Sequence, residues 1–136
     1  MDRGRKFFHS SSYTANPIAC AAANANLAIW RDEPVEKRIA TLAQRHAVRL
    51  DAIASHPLVR NPRRTGTIAA FDVGTAEGYL SDLAPRLLAL FRNRNILLQP
   101  LGNTIYLMPP YCIQEAQLDS IYTAIGDVLE TLGDGS

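Results

Sequence analysis

Charge of one sign, cysteine, lysine and long apolar runs are all scarce in this sequence. Its 14 basic and 13 acidic residues leave a net charge of +1. A chain so balanced presents no basic field for nucleic acid or an acidic lipid surface. No apolar run approaches the length of a membrane span, and no charged-then-apolar leader opens the sequence. A cytoplasmic protein with no nucleic-acid or membrane partner is expected. Cys20 and Cys112 lie far apart, in apolar surroundings and without metal-ligand spacing. They read as reduced core thiols, and no metal site is expected. Lysine occurs only at Lys6 and Lys37.

What is present suffices for a fold. The 136 residues suit one domain of ordinary size, and 47% are hydrophobic. Met1 to Phe8 is a basic, irregular arm whose Phe7 and Phe8 are expected to pack on something, inside this chain or outside it. Asn16-Pro17 is a helix start, because Asn can cap the first turn and Pro needs no N–H there. A first helix should run from Pro17 to about Arg31. Asp32-Glu33-Pro34 breaks it, and Val35, Ile39, Leu42, His46, Leu50 and Ile53 form the stripe of a second helix. His46 falls on that stripe, where a partly buried, hydrogen-bonded histidine is expected rather than a ligand.

Leu58-Val59-Arg60 reads as a short strand, Asn61 to Gly66 as a turn with a solvated Arg63-Arg64 pair, and Thr67 to Val73 as a buried strand. Leu80, Leu83, Leu87, Leu88 and Phe91 mark a third helix, capped by Ser81-Asp82, with Pro85 tolerable only in its first turn. Ile96-Leu97-Leu98 and Thr104 to Met108 read as two strands joined by a turn at Pro100 to Asn103. Leu118, Ile121, Ile125, Val128 and Leu132 face a last helix that ends at Gly133. This order predicts an α+β fold: a small, mainly antiparallel sheet with helices on one face.

Two stretches say more than periodicity does. His9-Ser10-Ser11-Ser12-Tyr13-Thr14 puts several hydroxyls in a turn before a helix, a good setting for a phosphate or carboxylate, although most such clusters are simply capped turns. Gln99 to Tyr111 reads on its own as a hairpin with aromatic edges. The first stretch, continued through Ala15-Asn16-Pro17-Ile18-Ala19-Cys20-Ala21-Ala22-Ala23, resembles the H-G-x-T-x-x-G-N-P-L-A-C-A-A-A segment of the class III pyridoxal-phosphate-dependent aminotransferases. The second, with Tyr106-Leu107-Met108-Pro109-Pro110-Tyr111, is similar to the branch of that family that serves biotin synthesis.

The resemblance implies the C-terminal small domain of a fold-type I pyridoxal-phosphate-dependent transferase. Residues 1–33 would be an arm, serine turn and helix of the large-domain or linker region, and residues 34–136 the small domain. It implies Ser11 and Ser12 at the cofactor phosphate, reaching across a homodimer interface, and Ser10, Gln99 and Tyr106 around substrate. Gln99 stands where the family carries an Arg that holds the substrate carboxylate. Losing a charge-assisted hydrogen bond of that kind costs roughly 1.5–3 kcal/mol. The branch's reaction passes an amino group from adenosylmethionine to 8-amino-7-oxononanoate through pyridoxal 5'-phosphate.

That chemistry needs a lysine for the Schiff base and a carboxylate at the pyridine nitrogen. Both lie upstream of the matched segments in the family, and neither Lys6 nor Lys37 sits in such a context. No catalytic residue is therefore expected in this chain, and the cofactor would be shared with a lysine-bearing partner segment, either an upstream half or a second subunit. Three readings stay open. The chain is a transaminase part, inactive alone; or a non-catalytic remnant that dimerises or binds; or an unrelated small α+β domain.

Overall fold

A computed structural model describes residues 14–74 and 83–133. The contact pattern divides the chain into two units, Met1–Val35 and Glu36–Ser136. In the first, helix α1 spans Pro17–Asp32. Its start is local chemistry: the Asn16 Oδ1 accepts from the Ile18 and Ala19 N–H groups at 3.0 and 3.1 Å. Pro17 at the first position has no N–H to satisfy. Ala15, just before the cap, is held at φ 59°.

The second unit contains the core. Helix α2 (Val35–Ala54) leads into strands β1 (Val59–Thr65) and β2 (Ile68–Val73). Helix α3 (Leu83–Arg92), strand β3 (Thr104–Leu107) and helix α4 (Glu115–Gly133) follow. The sheet is antiparallel in the order β1-β2-β3, with Phe71 opposite Ile105 and Val59 opposite Val73. Alternation sets its two faces. Ala69, Phe71 and Val73 on β2 and Ile105 and Leu107 on β3 point inward. They meet Leu42 and Leu50 of α2, Leu87 and Phe91 of α3, and Leu118, Ile125 and Val128 of α4 in one cluster. The α+β architecture with helices on one sheet face is therefore as expected.

Several details differ from the sequence reading. β1 continues through Asn61-Pro62 to Thr65, and the turn is Gly66-Thr67. A shift of register between Arg60 and Arg63 accommodates Pro62, which has no N–H for the ladder and sits on the edge strand. Arg63 is not merely solvated: its guanidinium donates to Asp72 at 3.0 Å. Asn61 and the Thr104 hydroxyl donate to the same carboxylate. Burial alone would raise the Asp72 pKa, but these donors together with the Arg63 charge bring it below the ordinary value. Cys20 and Cys112 are both exposed rather than core thiols. Pro85 does fall in the first turn of α3, whereas the expected cap at Ser81-Asp82 lies outside the described residues.

The largest difference is at Ile96 to Leu98. This segment forms no strand, and the expected hairpin holds only at its tip, where Leu101 and Thr104 exchange two backbone hydrogen bonds of 2.9 and 3.0 Å. Beyond that tip no backbone hydrogen bond joins the two arms among the described residues.

Candidate functional site

The absence of pairing beyond the tip leaves a gap between the arms. Ile96 to Gln99 lines one side, Tyr106 to Pro110 the other, and Ile113, Leu118 and Ile121 form its floor, enclosing a volume of about 390 Å³. Gln99 and Tyr106, named from the sequence as substrate-side residues, both line this hollow. Their juxtaposition follows from register. Leu101 pairs with Thr104 at the tip, so Gln99 and Tyr106 each lie two residues outward from it, one on each arm. Tyr106 also alternates with the inward-facing Ile105 and Leu107, and the residue is 40% exposed.

The hollow's chemistry is neutral. Among the described residues Gln99 and Tyr106 supply its polar side chains, and no Lys, Arg, His, Asp or Glu lines it. A primary amide and a phenol can each donate and accept. The gap can therefore receive an aliphatic chain along Leu97, Met108 and Ile113 and hydrogen-bond a polar group at its end. Met108, Pro109 and Ile113 were not assigned to a site from the sequence.

Ser10, Ser11 and Ser12 lie outside the described residues. The neighbouring start of α1 shows which of its own backbone donors are already taken. Asn16 already occupies the Ile18 and Ala19 donors, Cys20 N–H bonds the Asn16 carbonyl at 2.9 Å, and Pro17 has none. The first turn of α1 has no spare backbone donor. Among the described residues no group of His, Cys, Asp and Glu is placed to hold a metal ion. No described helix is long and apolar enough to cross a membrane.

A second polar feature lies in the core. His46 is fully buried, with Nδ1 2.8 Å from the Tyr122 hydroxyl. Its Nε2 has no hydrogen-bond partner among the described residues. Burial, then the nearby Arg49 charge, pulls the His46 pKa below its ordinary value. Burial likewise pushes the Tyr122 phenol up, with Arg49 opposing. Arg49 itself is engaged by Asp119 and Arg45 by Glu115, so polar ties between α2 and α4 surround the buried pair. His46 is thus a core histidine, as its place on the stripe implied. Tyr122 was missed, although it lies one turn beyond Leu118 on the same face of α4.

Comparison with known proteins agrees with the fold and the two motifs. The aminotransferase class-III family model matches residues 1–129, and the chain belongs to that family. An adenosylmethionine-8-amino-7-oxononanoate aminotransferase from Synechococcus elongatus is 44% identical over 127 residues, 93% of this chain and 30% of that protein. The enzyme of the same name from Helicobacter pylori is 32% identical, over 98% of this chain and 31% of its own length. A putrescine–pyruvate aminotransferase from Pseudomonas aeruginosa is 31% identical over 90% of the chain and 28% of its length. Among solved structures, an (S)-enantioselective omega-transaminase from Thermomicrobium roseum superposes with a TM-score of 0.81 at 26% identity, over 93% of this chain and 30% of that one. An omega transaminase from Pseudomonas jessenii in complex with PMP gives 0.78 at 22% identity, over 94% and 30%. The fold is that of the small domain of fold-type I transaminases. The chain spans about 30% of the length of these relatives.

Proposed function

We propose that this chain supplies the C-terminal part of a pyridoxal-phosphate-dependent transaminase of biotin synthesis. The reaction would pass an amino group from adenosylmethionine to 8-amino-7-oxononanoate. The observation that carries the reading is the 44% identity to the Synechococcus enzyme over 93% of the chain. Lys6 and Lys37 do not sit in a context suited to a Schiff base, so the reactive amine comes from a lysine-bearing segment, in an upstream half or a second subunit. Residues 1–33 then belong with the large-domain side and residues 34–136 form the small domain, within a cytoplasmic homodimer of the complete enzyme.

When bound, pyridoxal phosphate supplies an electron sink and carries the amino group between donor and acceptor. This chain's residues bind and orient. The Ser11 and Ser12 hydroxyls donate to the phosphate, and Ser10 borders the substrate. Gln99 and Tyr106 fix the far end of the acceptor, while Leu97, Met108 and Ile113 hold its aliphatic stretch and displace water from it. Such positioning converts binding energy into rate without any proton transfer by this chain.

The test is complementation. The purified chain with pyridoxal phosphate should show no transaminase turnover. Mixed with the lysine-bearing upstream segment of the Synechococcus relative, it should shift the cofactor absorbance and form diaminononanoate. Turnover by the chain alone refutes the division of labour. A stable but inactive mixture favours a non-catalytic dimerisation or binding module.

A further inference from the structure

The irregularity in β1 has a consequence two strands away. Val59 points into the core, and Arg60 points out opposite Asp72. Simple alternation would turn Asn61 back toward the core. The register shift between Arg60 and Arg63, with Asn61 at φ 48°, turns it outward instead. Bulges recur beside functional sites, where they re-aim a side chain. Here the Asn61 amide donates to Asp72 Oδ2 and Arg63 donates to Oδ1, each at 3.0 Å. Arg63 also donates to the Asn61 carbonyl at 2.9 Å, which braces the bulge from within.

The far side of the same carboxylate meets the hairpin. Asp72 Oδ1 accepts from the Thr104 hydroxyl at 2.8 Å, and the two residues are partners across β2 and β3. Thr104 in turn exchanges the two tip hydrogen bonds with Leu101. Among the described residues these are the backbone bonds that tie the Gln99 arm to β3. Leu98 anchors that arm in the core, and the tip fixes its outer end. We infer that Asn61, Arg63 and Asp72 are positioning residues, a relay that runs from the bulge through Thr104 to the hairpin tip and fixes the spacing of Gln99 and Tyr106. None of the three lines the hollow. That the spacing serves substrate binding rests on the transaminase reading. The relay rests on the hydrogen bonds alone.

The experiment compares Thr104→Val, which keeps the shape and loses the hydroxyl, with Thr104→Ser, which keeps the hydroxyl. Amide exchange and NMR shifts are read in the 136-residue chain. Thr104→Val should quicken Leu101 exchange about tenfold and move the Gln99 and Tyr106 signals, the loss expected for one hydrogen bond to a charged group. Thr104→Ser should stay within about twofold of the unaltered chain. Valine is the better strand former and serine the poorer, so a role in strand packing alone gives the opposite order, and that order overturns the proposal. Asn61→Ala, remote from the hairpin, should also quicken Leu101 exchange; a response confined to β1 overturns the relay. In the complementation mixture, Thr104→Val should raise the KM for the acceptor about threefold or more and leave kcat within about twofold. A fall in kcat at unchanged KM overturns the positioning role. An inactive mixture of the unaltered chain strikes the transaminase reading, and the exchange measurements then judge the relay by themselves.

Discussion

Helices α1 and α4 are similar in length and differ in what holds them. α4 buries Leu118, Tyr122, Ala124, Ile125, Val128, Leu129 and Leu132, whereas α1 buries no residue. α4 is specified by its apolar face and by the sheet that receives it. α1 is specified by its ends and its composition: an Asn cap, a Pro at the first position, and alanines with high helix propensity. Most helical stability in proteins comes from packing, and a helix of this length without it is marginal in water. One chain thus contains a helix set by tertiary contacts and another set by local signals.

The contrast should be plainest under truncation. Phe71, 1% exposed at the centre of the sheet's inner face, underlies the helices that cover it. Phe71→Ala should cost about 3–5 kcal/mol in urea unfolding followed by far-UV circular dichroism. Leu27→Ala on α1, where Leu27 is 65% exposed, should change the same midpoint by less than about 0.5 kcal/mol. Comparable losses at the two sites would erase the distinction.

A smaller effect should come from the buried pair beneath α4. Tyr122→Phe removes the oxygen bonded to His46 Nδ1 and leaves the ring with neither nitrogen satisfied by a described residue. The expected cost is about 1–3 kcal/mol. His46 also gives the second unit a pH dependence. Its folded pKa lies below the ordinary value of 6.5, so below that pH the unfolded chain binds a proton that the folded chain resists. Stability should be complete above pH 6.5 and fall as the pH drops from there toward the folded value. Urea titrations at stepped pH check this, and His46→Met should flatten the slope in that window.

The same division explains what could be read in the sequence. α2 and α4 were legible because their stripes repeat at helical spacing, from Val35 to Ile53 and from Leu118 to Leu132. α1 was legible because Asn16-Pro17 announces a helix start without reference to anything else. The arm at Ile96 to Leu98 was misread because an apolar triplet carries β propensity whether or not its neighbour can pair. Nothing inside the triplet shows whether the opposite arm pairs with it. The bulge at Asn61-Pro62 was mistaken for a turn for a related reason: the pairing with β2 overrode a local turn signal. Gln99 and Tyr106 were found by wording, and the gap they line lies where the two arms do not pair.

Small effects are also predicted at the start of α1, and there the local account is most exposed to refutation. Asn16→Ala removes the oxygen that satisfies the Ile18 and Ala19 N–H groups. It should cost α1 about 1 kcal/mol. Ala15 should respond in the opposite direction. It holds φ 59° at the position where the class III motif has Gly. An L-residue in that region costs roughly 1–2 kcal/mol, and glycine's greater backbone freedom returns roughly 0.5–1 kcal/mol of that. Ala15→Gly should therefore stabilise the helix start by roughly 0.5–1 kcal/mol. Amide exchange read residue by residue along Pro17–Asp32 separates these changes from the global unfolding of the core. Exchange in α1 should quicken in Asn16→Ala, slow in Ala15→Gly, and stay unchanged in α4 in both. If α4 protection moved together with that of α1, the first helix would be held by the same packing as the last, and its cap would be incidental.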